Sequence, residues 1–496
     1  MSNSTVRSNE GHNGQVEGTP NGSTQTEIQT TISPFDGSPV VERSLMTPSD
    51  IESTLSRSQA AFESYKLLSL DERIAIADRF LQAFAASKDR LSQELCAQMG
   101  RPIAHCAVEV DGTIMRGRHM ISLAKQCLAD SENKDTDTDD HVRYIKRVPI
   151  GPVLAIVPWN YPYFCQINVV IPALLAGNTV LLKPSPQTPL CGEIFAELYT
   201  QAGLPPHVLQ VMHISPEQVE RVIKDARIQF VMFTGSVAGG HSVTKAASGS
   251  FKGVGVELGG KDPAYVRADA DLAKVVPALA DGAFFNAGQS CCSVERIYVD
   301  EKVYQPFVEQ ASKIPMVEIV KRYKLGEPKD ASTTLGPVVS QRSAGVIRKQ
   351  VADAEAAGAK LLVPSSLFPN AREGTCLVAP QVLVNVDHTM DIMTAETFGP
   401  VVGITKVTSD EEAIKLMNDS PYGLTASVWT DAATSRKQFE AIVDKLQTGT
   451  VYLNNCDNLD PALAWSGVKD SGRGVSLSRF GFDAYTRTKS VNIKVL

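Results

Sequence analysis

Aromatic residues make up only 6% of the chain, and Lys and Arg never gather into a cluster. With 48 Lys and Arg against 55 Asp and Glu the formal charge is −7. The grouped cations that neutralise nucleic-acid phosphates are therefore missing. Long apolar runs are missing too: the longest region, residues 169–183, is interrupted by Pro172, Gly177 and Asn178 and falls short of the roughly 20 residues of a spanning helix. The first 30 residues hold one Arg, Arg7, and no apolar core of a signal peptide. Their Ser, Asn, Gly, Thr and Gln content predicts a disordered tail over 1–30. Glycosylation patterns at Asn3 and Asn21 have no consequence without secretion. Nine cysteines scattered over 496 residues make no disulfide framework, which points to a reducing, cytoplasmic setting. No H-E-x-x-H occurs and the only close cysteine pair is adjacent, so no metal site is expected.

What is present is an alternating α/β pattern. The length exceeds that of one hydrophobic core and predicts more than one domain. Thr47-Pro48-Ser49-Asp50 and Ser69-Leu70-Asp71-Glu72 carry helix-start signals, so residues 47–130 are expected to be mostly helical. From residue 144 the texture becomes β-branched and apolar. Residues 176–185 and 207–214 predict strands, 189–203 a helix stopped at Gly203, Ser215-Pro216-Glu217-Gln218 another helix start, and 228–233 a buried strand. This is the pattern of a parallel, helix-covered sheet with a ligand site at the strands' carboxyl ends. A second alternating region runs from 259 to 463, with helices near 270–285, 341–357 and 409–418. The final residues, TRTKSVNIKVL, alternate like a strand. That strand either edges a sheet of its own chain or completes one in a second subunit.

Two motifs invite a chemical reading. GSVAGGHS, residues 235–242, has P-loop glycine spacing but carries His241 where the phosphate-clamping lysine belongs. This argues strongly against a P-loop NTPase. A glycine-rich strand-to-helix turn able to approach a phosphate remains. FFNAGQSCCSVERI, residues 284–297, places Cys291 and Cys292 behind Gly288-Gln289-Ser290. A cysteine is usually a small buried hydrophobe. On a tight turn facing a cleft it becomes a candidate nucleophile, provided that its environment favours the thiolate. A hydrolase built on it would need a histidine partner, and none is near in sequence.

Six segments in series resemble the aldehyde dehydrogenase superfamily: VPWNYP (157–162), LKPSPQTP (182–189), FTGSVAGG (233–240), VELGGKDP (256–263), FFNAGQSCC (284–292) and ETFGPVV (396–402). The resemblance covers the chain from about residue 30 onward. It implies that Cys291 is the nucleophile, that Asn160 and the Cys291 backbone N–H receive the oxyanion, and that Glu257 is the general base for thioester hydrolysis. Cys292 is implied to be a neighbour without an essential role. NAD or NADP is the implied cofactor, with Trp159, Lys183, Gly235, Ser236, Gly240, Glu396 and Phe398 in contact with it. The implied fold is a cofactor domain with a doubly wound parallel sheet (31–139 and 150–258), an α/β catalytic domain (259–463) and a small β oligomerisation element (140–149 and 464–496). Homodimers or homotetramers are the usual assemblies.

Two departures from the family pattern bear on specificity. Pro186 stands where many NAD-preferring members carry a glutamate, so nothing there repels a 2′-phosphate and use of either cofactor is expected. Asn168 stands where succinate-semialdehyde enzymes tend to carry an arginine. Uncharged aldehydes are therefore expected to be preferred, against a wall of Tyr161, Phe164 and Cys165. Other readings are a thiol-dependent esterase or acyltransferase on Cys291, and a binding protein that kept the fold without turnover.

Overall fold

A computed structural model describes residues 27–132, 140–308 and 316–495. Two large parallel sheets dominate. The first has six strands in the spatial order Gly472–Arg473, Gly253–Glu257, Phe230–Thr234, Val153–Ile156, Val180–Lys183, Leu209–Val211. All its pairings are parallel except that of Gly472–Arg473 with Gly253–Glu257. The sequence lays down Val153–Ile156 first and then builds outward on both sides. The sheet is thus doubly wound, with its switch point between Val153–Ile156 and Phe230–Thr234. The apolar runs Val-Leu-Ala-Ile and Phe-Val-Met-Phe are what a parallel strand buried on both faces requires. Val153 and Ala155 enter one hydrophobic core, Leu154 and Ile156 the other, as strand alternation dictates.

The second sheet has seven strands in the order Lys360–Leu361, Gln381–Val384, Val401–Val407, Val294–Asp300, Asp262–Val266, Thr425–Trp429, Thr450–Leu453. It is parallel apart from Lys360–Leu361, and one large core surrounds it. The helices form where their start signals fall. Pro48–Tyr65, Leu70–Ala86 and Pro216–Lys224 each open on a reciprocal capping box, at Thr47, Ser69 and Ser215. Pro189–Gln201 ends just before Gly203, whose φ of 85° only glycine adopts freely.

Both ends of the chain depart from expectation. The expected tail, residues 1–30, lies outside the described residues up to 26. Residues 28–30, however, belong to the strand Ile28–Ile32, antiparallel to Pro39–Ser44. This hairpin docks on the first sheet's loop: buried Thr31 donates through Oγ1 to the Pro186 carbonyl at 2.7 Å. Residues 464–496, expected to be one oligomerisation element with 140–149, divide their contributions. Thr486–Lys494 pairs antiparallel with His141–Pro149 along its whole length in the same chain. Gly472–Arg473 instead extends the first sheet, and Trp465, Leu477, Phe482 and Tyr485 are buried in that sheet's core because they are large and apolar. Among the described residues no helix is long and apolar enough to cross a membrane. None of the nine cysteines is in a disulfide.

Candidate active site

A cavity of about 790 Å³ opens beside the switch point of the first sheet. Three of its strand ends feed it, through Pro158-Trp159-Asn160-Tyr161, Thr234-Gly235-Ser236 and Glu257-Leu258-Gly259. The seven-stranded domain closes the cavity mainly with residues that precede its strands: Ser290, Cys291 and Cys292 before Val294–Asp300, and Glu396 and Phe398 before Val401–Val407. The carboxyl-end expectation thus holds for one sheet, while the other faces the cavity largely with its amino ends.

The turn bearing Cys291 is sharply shaped. After the helix Leu272–Phe284, Asn286, Ala287 and Gly288 take φ values of 52°, 56° and 68°. Such consecutive left-handed residues are strained for Ala and Asn, and hydrogen bonds fix them in place. Gln289 Nε2 donates to the Asn286 carbonyl at 3.1 Å, and its Oε1 accepts from Val339 N at 2.7 Å. Gly260 passes so close that a Cβ there would collide with the Cys291 carbonyl oxygen. Cys291 itself is half-buried, so its thiol lies between core and cavity.

Asn160 is held by a charged network that the sequence did not announce. Arg101 pairs with Glu109, both fully buried, and donates from Nη2 to the Asn160 carbonyl at 2.5 Å and from Nε to Asn286 Oδ1 at 3.1 Å. Glu109 Oε1 in turn accepts from Tyr163 N at 2.8 Å and Phe164 N at 3.3 Å, capping the helix Pro162–Leu175. The Asn160 amide Nδ2 donates to the Gln289 carbonyl at 3.2 Å and faces the same cavity as Cys291.

Glu257 ends its strand in register with Thr234, whose hydroxyl donates to Oε2 at 3.3 Å, and Ser476 donates to Oε1. Burial pushes this carboxyl above its ordinary range, and the two hydroxyl donors act against that shift. Glu396 accepts from Gly260 N at 3.0 Å. Burial, with nearby Glu295, raises it to about 7. The Glu396 loop is fastened by a buried pair, Lys261 with Glu295 at 2.5 Å, whose carboxylate also takes the N–H groups of Thr397 and Phe398 at 2.9 Å each. The Phe398 and Trp159 rings meet edge-on, 5.6 Å apart.

Of the residues singled out from the sequence, Asn160, Glu257, Cys291, Trp159, Gly235, Ser236, Glu396 and Phe398 all line this cavity. Lys183 lies at the end of the adjacent strand, with Ile156 opposite, and Gly240 packs under Leu258. Neither of these two is in the cavity wall.

A family model described as "Aldehyde dehydrogenase family" matches residues 21–491. The chain belongs to the aldehyde dehydrogenase family. An aldehyde dehydrogenase of Paenarthrobacter nicotinovorans is 32% identical over 93% of this chain and 98% of its own length. Among solved structures, the succinic semialdehyde dehydrogenase of Streptococcus pyogenes in complex with NADP+ is 29% identical, with a TM-score of 0.87 over 94% of this chain and 100% of its own. The NAD-dependent aldehyde dehydrogenase of Sinorhizobium meliloti is 29% identical, with a TM-score of 0.88 over 94% and 92%.

Within this aldehyde dehydrogenase framework several cavity groups had no sequence signal. Asp457 accepts at Oδ1 from Ser290 Oγ and from the buried Cys292 thiol, both at 2.9 Å, and burial raises it to about 6. Cys292, expected to be a bystander, is therefore tied to a loop 165 residues away. Arg116 enters the wall from the helix Ile103–Cys127. The solitary Asp, Ser and Arg involved stand in no recurring pattern, so folding alone brings them to the cavity.

Proposed function

We propose that the chain oxidises an aldehyde to the carboxylic acid with NAD or NADP, through a thioester on Cys291. The observation that carries this reading is the convergence of Cys291, Asn160 and Glu257 on one cavity at the switch point. The Cys291 thiolate attacks the aldehyde carbon to form a thiohemiacetal. The oxyanion is received by Asn160 Nδ2 and the Cys291 backbone N–H, groups already fixed in orientation by Gln289 and Arg101. A nicotinamide held beside Trp159 and Phe398 would supply the hydride acceptor, and loss of hydride from the thiohemiacetal leaves a thioester on Cys291. Glu257 then takes a proton from the water that attacks the thioester, which releases the acid and restores the thiol.

The residues fit the dinucleotide. Ser236 caps the 11-residue helix Val237–Ala247, accepting from Gly239 N at 3.2 Å, so a positive helix end meets the cavity where a phosphate would lie. Trp159 and Phe398, in edge-on contact with each other, give the cavity wall an aromatic surface against which a flat ring can lie. Among the described residues Lys183 forms no ion pair, and burial lowers it to about 8, which suits a ribose or phosphate oxygen as its partner. Pro186 leaves no carboxylate to oppose a 2′-phosphate, in keeping with relatives named for NAD and for NADP+. The test is an aldehyde panel followed by the absorbance of reduced cofactor, with NAD and NADP separately. We expect turnover with both cofactors, none for Cys291→Ala, and a loss of about 10²- to 10³-fold for Asn160→Ala. Ester hydrolysis without cofactor reduction would instead select the thiol esterase.

A further inference from the structure

Four cationic side chains are buried among the described residues: Arg101, Arg116, Lys261 and Arg296. Arg101 and Lys261 have carboxylate partners. Arg296 donates to the carbonyls of Lys261 at 2.8 Å and Met417 at 3.2 Å. Arg116, only 5% exposed, has neither kind of support. Its Nε lacks any hydrogen-bond partner, its Nη1 reaches Asn168 Oδ1 at a long 3.5 Å, and no carboxylate among the described residues lies within ion-pair distance. Burial accordingly disfavours its charged form. A buried guanidinium attracted only by the more distant charges of Glu109, Glu257 and Asp457, with no carboxylate in contact, is a standing cost to stability, and a ligand carboxylate would relieve it.

The side chain is nonetheless held in place. Its guanidinium lies over the Phe164 ring, Cζ 3.8 Å from the centroid. That ring is stacked on Tyr161, and Gly112 makes room for it, since a Cβ there would sit 2.6 Å from the ring. Arg116 lines the same cavity as Cys291, beside Phe164 and Asn168. Acidic groups of the cavity have engagements of their own. Asp457 accepts from Ser290 and Cys292, and Asp111 pairs with Lys88 at 2.6 Å.

We propose that Arg116 anchors a carboxylate carried by the aldehyde substrate, so that the enzyme acts on oxo acids. This rests on the Cys291 reading. It also reverses the expectation drawn from Asn168: the cation absent at that position comes from the neighbouring helix, and Asn168 sits beside it as a hydrogen-bonding companion. A specificity-determining arginine of this kind lowers KM through an interaction present in both ground and transition states.

The experiment compares succinate semialdehyde with butanal, glutarate semialdehyde with pentanal, and 4-aminobutanal, on the wild type, Arg116→Met and Arg116→Lys. The wild type is expected to favour each oxo acid over its uncharged counterpart by at least about 10-fold in kcat/KM. Arg116→Met should lower that ratio by about 100-fold, chiefly through KM, and Arg116→Lys should recover part of it. Removing an unpaired buried charge should leave the Tm of Arg116→Met at or above the wild-type value, whereas a merely structural arginine would lower it. Calorimetry with succinate alone reads the anchor without turnover: binding by the wild type and its loss in Arg116→Met support the proposal. A wild-type preference for butanal, pentanal or 4-aminobutanal overturns it, as does a ratio unmoved by Arg116→Met or an absence of succinate binding. Should no aldehyde reduce the cofactor, the Cys291 reading fails, and the succinate titration still decides the role of Arg116.

Discussion

Two opposed influences set the proton affinity of Glu257. Burial favours the neutral acid, whereas the hydroxyls of Ser476 and Thr234, which donate to it, and the positive charge of Arg116 favour the carboxylate. The general base must be ionised, so kcat is expected to rise with pH through an inflection above the ordinary value of about 4.3. Ser476→Ala removes a donor that lowers this pKa. The acid limb of the kcat profile should therefore move to higher pH, with the alkaline plateau retained. A pH–rate profile of that variant superposable on the wild type would contradict the role given to Glu257. Asn160, Glu257 and Cys291 were legible because each sits in a short motif whose order along the chain is specific. Ser476, Asp457 and Arg116 were not: each is an ordinary polar residue whose meaning comes from burial and from partners far away in sequence.

Secondary-structure elements were easiest to read where local chemistry fixes them. The capping boxes at Thr47, Ser69 and Ser215 and the stop at Gly203 are local events, and the helices begin and end there. The start of the hairpin of Ile28–Ile32 and Pro39–Ser44 was hidden within a stretch of polar composition, and its docking on the loop at Pro186 is a contact with residues far along the chain. The strand Thr486–Lys494 was legible by alternation, whereas its grouping with 140–149 came from the family resemblance alone. It pairs on one side with His141–Pro149, and among the described residues no strand pairs with its other edge. Nine residues of open edge carrying Arg487, Lys489 and Lys494 are protected against indiscriminate pairing, and we propose this edge as the seam of a homodimer or homotetramer. Light scattering should show the full chain as an oligomer and a chain lacking residues 486–496 as a monomer. An unchanged assembly after truncation would move the seam elsewhere.

At the scale of the molecule, one doubly wound sheet offers its carboxyl strand ends to a cavity that the second domain closes. Sequence alternation alone predicted two α/β regions, yet the pairing between them depends on long-range contacts such as Asn160 Nδ2 to the Gln289 carbonyl and Arg101 Nε to Asn286 Oδ1. The division of labour that follows is that the first sheet supplies Asn160 and Glu257 and the second domain supplies the sulfur. This division is most directly tested by intact-mass analysis and peptide mapping of Glu257→Gln after incubation with aldehyde and cofactor. The account predicts that turnover falls by about 10²- to 10⁴-fold and that an acyl group accumulates on Cys291, after one equivalent of cofactor has been reduced. An adduct on Cys292, or no adduct with turnover at the wild-type rate, would contradict it.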